Sequence, residues 1–508
     1  MAILRYTASA DNTITNAFKS FATNNIRATG SNMGSADILE VFSIYGRRSS
    51  SLGFSTELSR FLIQFPISQI AADRNSGKIA ASGSVVFNLK LYNAKHPFSL
   101  PHSYTIDAHP VSAKWTEGIG LDMAGYNDNT ENIIGSNWTK ASSSTSWATP
   151  GGAFHASPKS SQTFTQGTEN FCVDVSETVE QWIKGDKTNY GFLVKLSTTD
   201  EGYFSSSTGQ NTGSILHNTD GARGSRYTKK FFARTTEFFF KRPVLEALFD
   251  SKRKDDRGNF CISSSLLTGE QNLNRLYFYN YYNGKLVDIA GKAHFLPTAS
   301  FFYASGSTPE GSARTFINSS NNSVTVLKST RESRGIYYVD VAAPTAMITT
   351  TYPYLYDVWT LGGTQIFTGS QITPKVYKPS ITATRPKYVI SMPELLSEYK
   401  TDSTIRLRLY AREKGWSPNI YSVAKNKPQT YIIPSASFRI LRTIDDYEVV
   451  SHDKNATSLS YDVSGNYFDL HTDILEAGYQ YSIKYAIYDG HTNEFEEQPY
   501  EFKFRIVK

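Results

Sequence analysis

Side chains able to bind metals or carry out catalysis are thinly spread along this chain of 508 residues, which contains nine histidines and two cysteines. No two histidines have the helical or strand spacing that gathers ligands on one face, and no Cys-x-x-Cys occurs. The G-x-S-x-G elbow, the phosphate-binding P-loop and the dinucleotide fingerprint are also absent. We therefore expect a protein that is not an enzyme and holds neither cofactor nor metal.

One acidic segment contains side chains of the type that bind calcium. Residues 122–132, DMAGYNDNTEN, offer Asp122, Asp128 and Glu131 as oxygen ligands. The segment lacks the central glycine and the final glutamate of an EF-hand loop. A calcium site and a solvated loop are the alternatives, and the residues favour the loop.

A Ser-, Thr- and Gly-rich stretch carries several aromatic side chains that could stack on a sugar. Trp138, Trp147, Phe154 and His155 lie within it. The candidate glycan contacts are Trp138, Trp147 and His155. The alternative is that these residues cover one end of a β-sandwich, and this structural role is the favoured one.

The composition favours strands over helices as the elements that position these side chains. Tyrosine and phenylalanine number 32 and 31 against five methionines, and polar stretches separate the apolar ones. In residues 84–92, SVVFNLKLY, apolar and polar side chains alternate with the period of a half-buried strand. We predict an all-β chain.

Charge and hydropathy limit the partners. The net charge of +6 is spread along the chain, so we expect no nucleic acid partner. The basic segments 223–234 and 251–254 are interpreted as solvated hairpin edges. We find neither an apolar signal region nor a run of about 18 apolar residues, and we expect folding in a cytoplasm without membrane insertion. Cys172 and Cys261 are too few for a disulfide framework.

The length predicts about three domains. Strand-like segments recur throughout, and the pairs Arg242-Pro243 and Arg385-Pro386 each precede a new set. We predict tandem β-sandwiches at 1–241, 242–384 and 385–508, the last two immunoglobulin-like. The polar stretches 250–258 and 379–386 are expected to be exposed linkers that a protease can cut.

A short helix is predicted between two strands of the first domain. Val179, Trp182 and Ile183 fall at i, i+3 and i+4, and Gly185 is placed to end the helix. We expect Trp182 to plug one end of the sandwich, with ligand stacking as the alternative. Tyr190 and Phe192 are expected on one face of the next strand.

The first 249 residues resemble DNRLRE domains in the order of several motifs: SRFLIQFPISQI, GSVVFNLKLYNA, TIDAHPVSAKWTEGIG, TSWATPGGAF and VDVSETVEQWIKGDKTNYGFLVKL. The resemblance implies a jelly-roll-like sandwich. It matches Arg60 to the family's Arg-then-strand element, Trp115 to its Trp-turn and Trp182 to its crossing helix. Residues 47–56 and 119–146 depart from the pattern, so loops there need not correspond.

The following segment, RPVLEALFDSKRKDDRGNF, with its Tyr- and Asn-rich strands, is similar to virion structural proteins of contractile-tailed marine bacteriophages. This similarity implies a neck, tail or capsid-associated protein present in many symmetric copies. Its partners would be other virion structural proteins, and it would be located in the virion after assembly in the host cytoplasm. A carbohydrate-binding protein that docks on host-surface polysaccharide is the alternative; a polysaccharide-degrading enzyme has the least support.

Overall fold

The computed structural model describes residues 2–19, 26–49, 53–97, 102–121, 134–201, 225–289, 295–344, 352–376, 388–415, 417, 420, 430–489 and 492–508. The chain forms two compact units, one of residues 3–249 and one of residues 250–508 together with 1–2. Strands dominate both units, so the predicted all-β class of tandem sandwiches is confirmed.

The described part of the first unit is a two-layer sandwich with two short α-helices. Its elements are β1 Ile3–Thr7, β2 Ala10–Thr15, β3 Ile38–Ser49, β4 Gly53–Gln64, α1 Ile67–Asn75, β5 Val85–Leu91, β6 Tyr104–Pro110, β7 Ser160–Phe164, β8 Phe171–Asp174, α2 Ser176–Lys184, β9 Phe192–Leu196, β10 Ser225–Phe232 and β11 Val244–Phe249.

One sheet has the strand order β1-β11-β5-β8, and the other has the order β10-β3-β4-β9-β6-β7 with β2 paired to β4. The two layers meet where Phe171 of β8 packs against Phe231 of β10, with ring centres 6.2 Å apart. Alternation in β5 is as predicted, since Phe87 is fully buried while Val86 is exposed. Because β11 lies between β1 and β5, the sandwich extends to residue 249, beyond the boundary predicted after residue 241.

The predicted helix is present as α2, and Gly185 ends it in a left-handed conformation with φ of 83°. Trp182 is buried, and its ring centre lies 4.8 Å from that of Phe192. The helix α1 was not predicted. It is tied to α2 by an ion pair in which both guanidinium nitrogens of Arg74 donate to the Glu180 carboxylate, at 2.6 and 2.7 Å.

The strand that follows α2 begins later than predicted. Strand β9 starts at Phe192, and Tyr190 lies before it. Gly191 between them has φ of 80°, and a Cβ there would overlap the carbonyl oxygen of Ile63. The chain therefore passes against β4 at a glycine before the strand can begin.

The second unit holds two sandwiches. The elements of the earlier one are β12 Cys261–Ile262, β13 Asn274–Tyr279, β14 Tyr281–Tyr282, β15 Lys285–Leu286, β16 Thr298–Ala304, β17 Phe316–Asn318, β18 Ser323–Val324, β19 Leu327–Lys328, β20 Thr330–Ser333, β21 Ile336–Ala342, β22 Tyr354–Leu361, β23 Thr364–Thr368 and β24 Lys375–Val376. Asn283-Gly284 forms the hairpin turn that joins β14 to β15, with φ of 49° and 74°.

The later sandwich contains β25 Tyr388–Ser391, β26 Glu398–Lys400, β27 Thr404–Glu413, β28 Ala436–Arg442, β29 Tyr447–Val450, β30 Ser460–Asp462, β31 Gly465–His471, β32 Gln480–Asp489, β33 Glu494–Glu497 and β34 Phe502–Val507. Its sheets have the orders β25-β27-β31-β30 and β26-β34-β32-β28-β29, with β33 paired to β32. The boundary predicted between residues 384 and 385 and the whole linker predicted at 379–386 lie outside the described residues.

Stacked aromatic side chains join the two layers in each of these two sandwiches. In the earlier one, Phe278 of β13 lies over Trp359 of β22, with ring centres 5.4 Å apart. In the later one, Phe438 of β28 stacks on Phe468 of β31 at 3.9 Å. Each sandwich therefore has its own apolar core.

Substituting Trp182 tests its role as a core residue. Trp182→Ala should lower the free energy of unfolding by about 3–5 kcal/mol, as large aromatic truncations in cores do. Trp182→Phe should cost much less, because the buried indole N–H has no hydrogen-bond partner among the described residues. The measurement is calorimetric unfolding of the full chain with Lys184→Ala, an exposed position on the same helix, as control. A Trp182→Ala effect as small as that of the control would contradict the core role.

Candidate functional site

The two predicted glycan-contact tryptophans lie together in the core. Trp138 and Trp147 belong to one apolar cluster with Trp115, and each retains only 5–6% of its exposure. The indole N–H of Trp147 donates to the carbonyl oxygen of Asn137 at 2.8 Å, and that of Trp115 donates to Tyr190 at 2.7 Å. Enclosed rings with satisfied N–H groups match the alternative in which these aromatic residues cover one end of the sandwich.

His155 lies nearby in the chain but contacts the end of β6. Its backbone N–H donates to the carbonyl oxygen of Pro110 at 2.8 Å, and its own carbonyl oxygen lies 3.2 Å from Nδ1 of His109. The His155 side chain is half-buried. The structure thus brings Trp138 and Trp147 together and places His155 on a neighbouring edge, while glycan contact by the three stays a prediction.

A buried ion cluster lies next to Trp138. The Arg60 guanidinium sits 5.2 Å from the centre of the Trp138 ring and donates twice to the Glu201 carboxylate, both times at 2.8 Å. Lys195 Nζ reaches the same carboxylate at 2.9 Å. Burial disfavours the charged form of Glu201, but the Arg60 and Lys195 cations outweigh it and lower its pKa. Glu201 is therefore held ionised between two cations of the protein, and we interpret the cluster as a structural element.

A second polar group surrounds Asp107 on β6. Ser161 Oγ donates to Asp107 at 2.6 Å, Lys159 Nζ lies at 3.3 Å, and His109 Nε2 is 3.9 Å away. Burial lowers the pKa of His109, although the Asp107 charge opposes the shift. Because the serine hydroxyl contacts the carboxylate and not the imidazole, the three groups do not form the hydrogen-bond order of a hydrolytic triad.

A third cluster joins separate segments of the first unit through Asp11. The backbone N–H of Arg234 donates to Asp11 Oδ2 at 2.7 Å, and the Asp11 N–H donates to Glu117 Oε1 at 2.7 Å. Arg234 also makes a two-point ion pair with Glu117 at 2.6 and 2.7 Å. Asp11 Oδ1 is buried without a hydrogen-bond partner among the described residues. Burial is the main cause that raises the Asp11 pKa to about 7.

In the second unit, Arg257 anchors the segment that precedes the earlier sandwich. Its guanidinium donates to Asp255, to both oxygens of Asp357 at 2.5 and 3.3 Å, and to the carbonyl oxygen of Tyr277 at 2.7 Å. The Trp359 indole N–H donates to the same Asp357 carboxylate at 2.6 Å. Arg257 and Asp357 are buried, so their charges depend on these protein partners.

The same segment is also bound to the later sandwich. Asp255 N–H donates to the Tyr461 carbonyl oxygen at 3.0 Å, and Tyr461 N–H donates to the Arg253 carbonyl oxygen at 2.9 Å. The Tyr461 hydroxyl donates to Asp256 at 2.6 Å, and Lys254 Nζ donates to the Pro434 carbonyl oxygen at 2.9 Å. Residues 253–257, called the junction segment below, therefore fasten the two sandwiches to each other.

Two expectations about this region are wrong. The stretch 250–258 was predicted to be an exposed linker, but Asp255 and Arg257 within it are buried. The basic segment 251–254 was predicted to be a solvated hairpin edge, whereas Arg253 donates to Glu332 at 2.7 Å. Both predictions were based on the polar composition of the segment. They fail because its charged side chains bind residues that are distant in the sequence.

The structure adds two observations on the remaining predictions. Within the described ranges, no group of three or more His, Cys, Asp or Glu side chains is arranged to hold a metal ion. The candidate calcium segment 122–132 lies outside those ranges. Among the described helices, none has the length and apolar character needed to cross a membrane.

Comparison with known proteins finds no matching family model and no matching curated protein. Solved structures with partial similarity include the Yersinia pseudotuberculosis adhesin InvE, at 12% identity and a TM-score of 0.15 over 46% of this chain and 54% of that one. The chain spans about half the length of that adhesin chain. The Ig1-2 module of the Drosophila receptor protein tyrosine phosphatase DLAR (9%, 0.14) and a chimeric titin Z1Z2 tandem (12%, 0.15) each match over 46% of this chain and 91% of theirs. Nothing about function follows from similarities this weak.

The raised pKa of Asp11 predicts a pH dependence of stability. Since the folded-state pKa of about 7 exceeds the ordinary value of 3.8, the folded state binds the proton more tightly. The contribution of Asp11 to stability is present below the ordinary pKa and is lost as pH rises towards the folded-state value. Asp11→Asn keeps an acceptor for the Arg234 N–H and cannot ionise, so it should remove part of the loss of stability between pH 5 and 8. Urea unfolding of both proteins across this range is the measurement, and parallel pH profiles would contradict the assignment.

Substituting Arg257 tests the junction. Arg257→Met should destabilise the second unit by about 3–5 kcal/mol, because Asp255 and Asp357 would remain buried without their cation. The matched control is Arg406→Met, whose ion pair with Asp469 is partly exposed and worth about 0.2–1 kcal/mol. Denaturant unfolding of the full chain measures both. Equal losses of unfolding free energy in the two variants would contradict a larger contribution from the buried Arg257 network.

Proposed function

We propose that this chain is a non-enzymatic structural protein of a tailed-phage virion, present in several symmetric copies. The observation that carries the proposal is the junction segment, which binds two immunoglobulin-like sandwiches through buried ion pairs and backbone hydrogen bonds. A pair of sandwiches held in this way suits a spacer or display arm. Such an arm needs stiffness and does not need a substrate pocket.

The chemistry of the first sandwich supports the same proposal. In the interior, the Glu201 carboxylate is engaged by both Arg60 and Lys195. The Ser161 hydroxyl donates to the Asp107 carboxylate and not to an imidazole among the described residues. Groups engaged in this way contribute to folding and are not held ready for a reacting molecule.

The phage assignment comes from the resemblance of the segment 242–260 and of the Tyr- and Asn-rich strands after it. It implies assembly in the host cytoplasm and partners among the other virion structural proteins. Carbohydrate binding by the first sandwich has no specific support, because the rings of Trp138 and Trp147 are enclosed in its core.

Quantitative mass spectrometry of purified virions, and of separated heads and tails, tests the proposal. We expect the chain in one fraction, at a copy number that is a multiple of the symmetry of that part of the particle. The major head and tail proteins serve as internal standards. If the chain is missing from every particle and occurs free in the lysate of infected cells, the proposal fails.

A further inference from the structure

Strand β10 places a lysine in the interior of the first sandwich. Lys229 is fully buried, and its Nζ lies 4.9 Å from the ring centre of Phe164 and 5.2 Å from that of Phe231. A primary amine held among aromatic rings is a nucleophile whenever it is uncharged.

Three oxygen atoms surround the amine. Nζ lies 2.6 Å from Asn93 Oδ1, 2.7 Å from the Gly167 carbonyl oxygen and 2.7 Å from that of Glu169. Two of these are backbone acceptors with fixed positions. The third belongs to a carboxamide, whose carbon is an electrophile.

The protonation state decides what this arrangement can do. Burial lowers the pKa of Lys229 to about 8, although the Glu169 charge partly opposes the shift. An ammonium group would donate to all three oxygens. A neutral amine has only two N–H bonds, and the two backbone carbonyls can accept both. Nζ then no longer donates to Asn93 Oδ1, and attack requires the carboxamide to turn about its Cβ–Cγ bond so that its carbon faces the lone pair.

Lys195, the other buried lysine with a described partner set, shows the contrast. Its Nζ donates to the Leu196 carbonyl oxygen at 2.6 Å and lies 2.9 Å from the Glu201 carboxylate. A carboxylate is a poor electrophile and stabilises the ammonium form. The contact between an amine and a carboxamide therefore distinguishes Lys229 from an ordinary buried ion pair.

We propose that Lys229 and Asn93 become joined by an intramolecular isopeptide bond. Nζ of Lys229 forms a bond to Cγ of Asn93, the bond from Cγ to Nδ2 breaks, and one molecule of ammonia leaves. One proton passes from Nζ to the departing nitrogen. No oxidant, reductant or further reactant is needed.

The Glu169 carboxylate acts electrostatically on the Lys229 amine, and we assign the relay of that proton to it. Burial opposes its ionisation, but hydrogen bonds from the backbone of residues 165–166 and from the Thr165 hydroxyl contribute to lowering its pKa to about 2. Its Oε2 is buried and has no hydrogen-bond partner in the described part of the chain. Asn93 itself is only half-buried, so ammonia has a route to solvent.

The bond would connect the two layers of the sandwich. Asn93 follows β5, which belongs to the sheet β1-β11-β5-β8, while Lys229 lies on β10 in the other sheet. It would close a loop between positions 136 residues apart. A covalent link between the layers resists their separation, independently of whether the protein is part of a virion.

The test is the intact mass of the purified full chain, followed by proteolytic peptide mapping. We expect a mass lower by one ammonia, and a branched peptide that contains both Asn93 and Lys229. Lys229→Met and Asn93→Ala should each show the full mass expected for the variant. Glu169→Gln should slow the loss of ammonia.

The matched control is Lys230→Met. Lys230 is the next residue on β10, and its Nζ lies 3.3 Å from Glu40. This variant should still lose ammonia. A wild-type chain that keeps its full mass after prolonged incubation at pH 9, with Asn93 and Lys229 in separate linear peptides, overturns the proposal. That result depends on the wild-type protein alone, so it holds even where a variant fails to fold.

Discussion

The buried charge of Arg257 is the constraint on which the second unit depends. Moving an ion out of water costs several kcal/mol, so the guanidinium is tolerated only where every donor meets an acceptor. Asp255, Asp357 and the Tyr277 carbonyl oxygen supply these acceptors, and Trp359 donates to Asp357 from the core side. Space around the network is equally restricted, because a Cβ on Gly369 would overlap the Asp357 carboxylate. Since neighbouring backbone groups of the same segment bind the later sandwich, satisfying this one charge also sets how the two sandwiches are joined.

Local patterns in the sequence predict a helix or strand well where the pattern depends only on residues of that element. The alternation in β5 and the i, i+3, i+4 spacing around Trp182 depend on a single buried face, and both appear in the structure. The junction segment could not be predicted in the same way. Its composition is that of an exposed linker, and its main partner Asp357 is 100 residues away. The helix α1 was missed for a related reason, since its contact with α2 through Arg74 and Glu180 is a tertiary one.

The candidate site was likewise predicted only in part. The grouping of Trp138 and Trp147 was anticipated from their shared stretch, but their enclosure results from packing against Trp115 and Arg60. Nothing in the sequence indicated that Lys229 is buried, because a lysine in a strand is ordinarily solvated. Its partners Asn93 and Gly167 come from segments far away in the chain. The polar contacts inside the first sandwich thus depend on residues that only the tertiary structure brings together. In the proposed structural role, these contacts stabilise the fold.

The central claim is that the junction segment fastens the two sandwiches of residues 250–508 into one unit, and hydrogen–deuterium exchange of the full chain tests it most directly. The amides of Asp255 and Tyr461 donate across the junction to Tyr461 and Arg253. The account predicts that both amides exchange as slowly as those of the core strands β22 and β31, because they become exposed only when the sandwiches unfold. Exchange at these two amides as fast as in an unstructured linker, with the core strands still protected, would contradict it.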